Sequence, residues 1–163
     1  MSDADAGSGW EWDPSLYSGS ASYYVRGRVP YPAALVEGLV DALSLDGIGR
    51  LLDIGCGPGS LTLPLAAHFE QVVAVDADEQ MLVEGERQAA AAGIGNVEWR
   101  HARAEELTPS LGRFRVATMA QSFHWMDRTR VARLLRELLT DDGALADVHA
   151  TTNQGVEGNA QLP

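Results

Sequence analysis

The sequence predicts an α/β fold built on a doubly wound parallel sheet. Short apolar runs of strand length alternate along the chain with longer stretches of helical character, as in repeated βαβ units. A glycine-rich turn follows the first apolar run, and an acidic residue ends the second. Because βαβ units place helices on both faces of one sheet, we expect parallel strands in the order 3-2-1-4-5.

The length and charge of the chain limit which kinds of binding partner are expected. The 163 residues suffice for one domain, and the formal net charge is -11. We expect the domain to span 17–150, between mobile polar segments at 1–16 and 151–163. Such an acidic surface repels phosphate backbones and anionic lipids, so neither nucleic acid nor a membrane is an expected partner.

The location and the metal content are also predicted from the composition. A single cysteine, with no signal segment and no apolar run of transmembrane length, favours the cytoplasm. No group of histidines, cysteines and carboxylates has the spacing of metal ligands, so we expect no metal.

The first helix is predicted after Pro32, which suits a helix start. Gly47 and Gly49 are expected to stop this helix before the first strand. Its apolar residues recur at helical spacing: Leu35, Val36, Leu39, Val40 and Leu43.

The first strand, 51–54, runs into a turn with glycines at 55, 57 and 59, and a helix is expected from Ser60 to about Phe69. Glycines permit positive φ and carry no Cβ, so a bound molecule can lie against the backbone. The third glycine comes one position earlier than in the GxGxxG loop of dinucleotide sites, where Ser60 replaces the last glycine. Cys56 is either a reactive thiol or, as we favour, a small buried residue beside a cofactor.

The second strand, 72–75, ends in Asp76, roughly 20 residues past the first glycine, the separation expected of a ribose ligand. A carboxylate there accepts hydrogen bonds from both ribose hydroxyls. The alternative is that Asp76 caps the next helix, and we favour the ribose interpretation. That helix is predicted over 78–92, closed by Gly93.

The remaining pattern predicts three more strands. Alternation over 96–101 predicts the third strand, and the apolar run 115–121 predicts the fourth, which leads into the loop 122–127. Ligands bind beyond the carboxyl ends of such strands, so this loop is expected over the bound ligand. An amphipathic helix is predicted over 129–140, then a turn at 141–143 and the fifth strand at 144–149.

Four motifs resemble those of the class I S-adenosylmethionine-dependent methyltransferases, and of their type 11-like subgroup in particular. The resemblance covers roughly Tyr24 to His149 and so spans most of the chain. The motifs are the Asp53-Ile-Gly-Cys-Gly-Pro-Gly59 turn, Ala104-Glu105-x-Leu107 after the third strand, Gln121-Ser-Phe-His-Trp-x-Asp127 after the fourth, and an N-terminal signature matched by Tyr24, Arg28, Tyr31 and Pro32.

The resemblance implies a Rossmann-like fold with S-adenosylmethionine as cofactor and S-adenosylhomocysteine as product. Arg28 would pair with the carboxylate of the cofactor, or else be a solvated surface arginine. Many relatives have aspartate at the position of Arg103, so backbone contacts to the adenine are expected there. The implied cofactor residues are Tyr24, Arg28, Asp53, Gly55, Cys56, Gly57, Gly59, Asp76, Ala77, Met81, Arg103, Ala104, Glu105, Gln121, Ser122 and Trp125.

The implied reaction is in-line methyl transfer to a small-molecule acceptor. His124 is the candidate base for an acceptor that must lose a proton; alternatively, His124 and Trp125 shape the pocket wall. Two other hypotheses stay open. One is a truncated or non-catalytic methyltransferase-like domain that binds cofactor or a partner chain. The other is an NAD(P)-binding oxidoreductase, disfavoured by Ser60 and by a sequence without lysine.

The fifth strand is expected to be an exposed edge. Members of the resembled family continue with a further strand pair, and the polar residues after Ala150 lack the alternation for one. An open edge is a template for pairing, so we expect either a homodimer through the fifth strand or a fragment of a longer protein.

Overall fold

The computed structural model describes residues 30–149, which form a parallel five-stranded sheet in the order β3-β2-β1-β4-β5. The predicted fold class and strand order are therefore confirmed. Tyr24, Arg28 and the segments 1–16 and 151–163 lie outside the described residues.

The helices and strands follow one another along the chain as α1 Ala33–Ala42, β1 Arg50–Ile54, α2 Thr62–Ala66, β2 Gln71–Asp76, α3 Glu79–Ala91, β3 Val97–His101, β4 Phe114–Ala120, α4 Arg128–Leu138 and β5 Leu139–Val148. Short 3-10 turns lie at Ala104–Glu106, Pro109–Leu111 and Phe123–Trp125.

The three central strands, β1, β2 and β4, are buried on both faces, as their nearly continuous apolar sequences require. Successive β1 residues point to opposite faces, so Leu52 packs in one core cluster and Leu51 in the other. Helix α4 covers the first cluster with Val131, Leu135 and Leu138. Helices α1 and α2 cover the second cluster.

Three helices end earlier than predicted. Helix α4 ends at Leu138 rather than at 140, because Leu139 and Thr140 already belong to β5. Helix α1 stops at Ala42 rather than at the glycines, because Ser44 adopts a positive φ of 49° and the Leu45 amide turns back to the Val40 carbonyl. Helix α2 covers only Thr62–Ala66. The amides of His68 and Phe69 bond to carbonyls three residues back, so the chain tightens and leaves the helix.

The turn predicted at 141–143 lies inside β5 as a bulge. Phe114 pairs with Leu139 and Val116 pairs with Ala144, so β4 advances two residues while β5 advances five. Gly143 fits this bend because a Cβ there would lie 2.9 Å from the Thr140 carbonyl oxygen. The bulge lets the chain pass from α4 into the sheet without a separate loop.

Strand β5 forms one edge of the sheet within residues 30–149. The Leu145 side chain is exposed there. Association through this edge stays a prediction. Across the same residues, none of the helices combines the length and apolar character needed to cross a membrane.

Candidate active site

The glycine turn bends from the end of β1 across to β2. The amides of Gly55 and Cys56 both donate to the Val75 carbonyl, at 2.8 and 3.0 Å. Gly55 has a φ of +67°, and a Cβ there would lie 2.4 Å from the Ser122 Cβ. Glycine is thus required at 55 both for its backbone conformation and for the close approach of the loop after β4.

Asp76 ties this turn to the start of the next helix. One carboxylate oxygen accepts the Gly57 amide at 2.7 Å and the other accepts the Asp78 amide at 2.9 Å. The helix-capping role belongs to Asp78, whose side chain accepts the Gln80 amide. Burial raises the pKa of the Asp76 carboxyl, while its backbone hydrogen bonds oppose that rise. Asp76 thus lies at the end of β2 beside the glycine turn, and its role as a ribose ligand stays a prediction.

A cavity of about 350 Å³ opens beyond the carboxyl ends of the strands, where parallel α/β sheets bind their ligands. Its volume lies in the range of small-molecule sites. Most of the predicted cofactor residues line it: Gly55, Gly57, Asp76, Ala77, Met81, Arg103, Ala104, Glu105, Gln121, Ser122 and Trp125. The structure thus brings together residues from four separate segments of the chain.

Asp53 does not line the cavity, although the motif predicted a cofactor contact. Its side chain is 1% exposed, and its two oxygens accept hydrogen bonds from the hydroxyls of Thr62 at 2.5 Å and Thr118 at 2.9 Å. The carboxylate faces inward because these two hydroxyls are its hydrogen-bond donors. It joins β1 to α2 and β4 beneath the glycine turn, and its contribution to cofactor binding is expected to be indirect.

Asp53 makes the stability of the protein depend on pH. Burial raises its pKa to about 6 from 3.8, the two threonine hydroxyls oppose this, and the charge of Asp76 adds to it. A raised carboxyl pKa means that the folded state binds the proton more tightly, so stability rises as pH falls through 6. Between pH 7.5 and 5 we expect Asp53 to add about 1–1.5 kcal/mol to the free energy of unfolding.

The measurement is urea denaturation across that pH range for the wild type and for Asp53→Asn, which keeps the shape but does not titrate. The difference between the two proteins, rather than either curve alone, isolates this carboxyl from the other acidic groups. A difference that stays constant with pH would show that the Asp53 pKa is ordinary.

Cys56 and Gly59 also lie outside the cavity lining. Cys56 is buried against Ala74 and Leu82, which confirms the burial but not the cofactor contact predicted for it, and burial raises the pKa of its thiol. Gly59 has a φ of +84°, and a Cβ there would lie 2.8 Å from the Trp99 ring. Both residues therefore support the conformation of the glycine turn without lining the cavity.

Sequence reasoning missed His101, Gln80 and Met126, which also line the cavity. His101 ends β3 just as Asp76 ends β2, and its Nε2 lies 3.0 Å from the Ala77 carbonyl oxygen. The position of His101 could have been predicted, because it is a polar residue at the carboxyl end of a strand that neighbours β2.

The loop after β4 begins at Gln121, which has a positive φ of 54°. The Ser122 hydroxyl donates to the Ile54 carbonyl at 2.8 Å, so the loop is held to the end of β1. Trp125 lines the cavity and is 37% exposed, whereas His124 is exposed and does not line it. The two rings lie 4.8 Å apart between centroids. The role of His124 as a base stays a prediction.

The fold, the glycine turn and the acidic end of β2 together define a class I S-adenosylmethionine-dependent methyltransferase domain. A family model described as a methyltransferase domain matches residues 51–143. The chain belongs to this family.

The relatives agree with this assignment. Uncharacterized methyltransferases of Mycobacterium bovis and Mycobacterium tuberculosis are 35% identical to the chain over 129 residues, which is 76% of this chain and 49% of theirs. The chain thus spans about half the length of these curated relatives.

Solved structures share the fold. The YcgJ protein of Bacillus subtilis aligns with a TM-score of 0.64 at 25% identity, covering 75% of this chain and 53% of that one. A DhpI–SAM–HEP complex aligns with a TM-score of 0.67 at 23% identity, covering 86% of this chain and 65% of that one.

Proposed function

We propose that this chain binds S-adenosylmethionine in the 350 Å³ cavity and takes part in methyl transfer to a small-molecule acceptor. The observation that carries the proposal is the 2.7 Å hydrogen bond between the Gly57 amide and the Asp76 carboxylate. This bond connects the glycine turn, where a ligand can lie against the backbone, to the carboxylate that is proposed to bind the ribose. Both groups line the same cavity.

The residues present fit this cofactor. Asp76 offers carboxylate oxygens to a ribose, and Gly55 and Gly57 offer backbone without Cβ atoms at the same place. Met81 and Ala104 add apolar surface for a purine. The amides of Gly55, Cys56, Gly57 and Gly59 already bond within the chain, so they form no row of free donors for a pyrophosphate. This donor set favours an adenosyl group over a dinucleotide.

The cofactor supplies an activated methyl group on a positive sulfur. The protein then has to hold the nucleophile and the methyl carbon in line, and orientation alone lowers such barriers by about 7–11 kcal/mol. The Trp125 ring, in the cavity wall, would attract positive charge by about 0.5–2 kcal/mol if its face is presented to the sulfur. His124 would serve only an acceptor that must lose a proton during transfer.

The acceptor is proposed to be a small molecule because the chain is strongly acidic, with a formal net charge of -11. A polyanionic acceptor would be repelled at long range, whereas a small neutral or cationic one would not. Purification followed by mass spectrometry of any bound molecule would identify the acceptor class directly.

Calorimetric titration tests the cofactor. We expect the purified chain to bind S-adenosylmethionine and S-adenosylhomocysteine, and not NAD. Binding of NAD alone would contradict the proposed cofactor and favour the oxidoreductase hypothesis, and absence of binding to all three would reject a cofactor site. Methyl release with a panel of phenols, amines and carboxylates then separates an active enzyme from a domain that only binds.

A further inference from the structure

Glu105 lines the cavity, and its carboxylate reaches the backbone of the loop after β4. Its Oε1 accepts the backbone amide of Asp127 at 2.8 Å, and its Oε2 lies 3.6 Å from the Arg103 Nε. The side chain is only 11% exposed. The hydrogen bond joins two segments of the chain that line the cavity, 103–105 and the loop that contains Trp125 and Met126.

The loop between β4 and α4 is therefore held at both ends. At its start the Ser122 hydroxyl bonds to the Ile54 carbonyl, and at its end the Asp127 amide bonds to Glu105. The Asp127 side chain caps α4 by accepting the Arg130 amide. Trp125 and Met126 lie between the two attachments, so their position in the cavity depends on both.

We propose that Glu105 is a positioning residue that holds the Trp125–Met126 segment in the cavity wall through the Asp127 amide. The inference that this segment faces the acceptor rests on the proposed function; the attachment itself does not. Through this bond, the part of the chain expected beside the adenine and the part expected beside the acceptor form one rigid wall. Glu105 then acts on the acceptor side without touching the acceptor.

Hydrogen exchange tests the attachment without any cofactor. In Glu105→Ala the Asp127 amide loses a charged acceptor, so we expect its exchange to become roughly 10- to 100-fold faster, with neighbouring amides of 122–126 following. Glu105→Gln keeps an oxygen that can accept this bond and is expected to retain most of the protection. Glu86→Ala removes an exposed carboxylate from α3 and serves as the control for the change in charge.

A second pair of variants removes the donor instead of the acceptor. Asp127→Ala and Asp127→Pro both lose the side-chain cap, but only the proline variant loses the amide. Proline suits the site, where φ is -67°. We expect the proline variant to loosen 122–126 more than the alanine variant does, and the two to behave alike in the Glu105→Ala background. Compared in the wild-type background, the two Asp127 variants test whether this hydrogen bond holds 122–126 even if Glu105→Ala does not fold.

Different results would contradict the role of Glu105 and the cofactor assignment. Unchanged exchange at 122–127 in Glu105→Ala, or equal effects of the two Asp127 variants, would overturn the role of Glu105 whatever the protein binds. If the role holds, Glu105→Ala is expected to raise the KM of the acceptor more than that of the cofactor, with recovery in Glu105→Gln. Failure of the wild type to bind S-adenosylhomocysteine would instead reject the cofactor site and leave the exchange result standing.

Discussion

Replacing Gly85 with alanine is expected to lower the free energy of unfolding by about 2 kcal/mol. Gly85 is buried in α3, and a Cβ there would lie 2.4 and 2.5 Å from two atoms of the Trp99 ring. The ring also lies against Gly59, where a Cβ would be 2.8 Å away, so its room to move on that side is small. Overpacking of this kind costs up to about 3 kcal/mol, and the better helix propensity of alanine returns at most about 1 kcal/mol.

The chain offers a matched control for Gly85→Ala. Gly38 is also inside a helix, and a Cβ there would meet nothing within 4 Å. Gly38→Ala is therefore expected to stabilise the protein by about 0.5–1 kcal/mol. Chemical denaturation of both variants measures the contrast, and similar changes in stability would contradict the tight contact with Trp99.

A double variant shows whether the tryptophan ring is the cause. Adding Trp99→Leu to Gly85→Ala gives the new methyl group room, so the two changes together should cost less than the sum of the single changes. If the changes in the free energy of unfolding simply add, the strain caused by Gly85→Ala arises from a contact other than the Trp99 ring.

Asp76→Asn is expected to weaken binding of S-adenosylhomocysteine by about 100-fold or more, since charged hydrogen bonds are worth about 1.5–3 kcal/mol each. The two carboxylate oxygens accept the Gly57 and Asp78 amides, and an asparagine would direct its NH₂ group at one of these donors. The variant thus disturbs the glycine turn and also removes the charge proposed to hold the ribose. Calorimetry measures the change in affinity directly.

Asp41→Asn is the control for this loss of charge, because Asp41 is exposed on α1 and does not line the cavity. It is expected to bind as the wild type does. Because burial raises the pKa of Asp76, the wild-type affinity should begin to fall with decreasing pH before an ordinary aspartate would protonate. Wild-type affinity in Asp76→Asn would remove the central support for the cofactor site.

The parts of the fold with a local pattern were predictable. Apolar runs and helical periodicity predicted the five strands, and the fold class supplied their order. The spacing between Gly55 and Asp76 predicted two sides of the same cavity. The helix ends were predicted less well. The amides that close α1 and α2 bond to carbonyls a few residues back, and such tightening leaves no mark as clear as a glycine.

The direction of individual side chains was not predictable from their motifs. Asp53 and Glu105 both belong to motifs of cofactor-binding proteins, yet each carboxylate is engaged by other parts of this chain. Asp53 is bonded to Thr118, 65 residues away, and Glu105 to the amide of Asp127, 22 residues away. A motif states which residue type follows a strand, but it does not state which donors the folded chain will bring near it.

By itself, the sequence determined the architecture, the family and the place of the cavity, because these follow from periodicity and from glycines and acids at the ends of strands. Only the tertiary structure decided that Trp99 packs against Gly59 and Gly85, that Asp53 is buried beneath the turn, and that Glu105 accepts the Asp127 amide. The physical reason is that the second group depends on contacts between distant segments. Such contacts exist only after the sheet has formed.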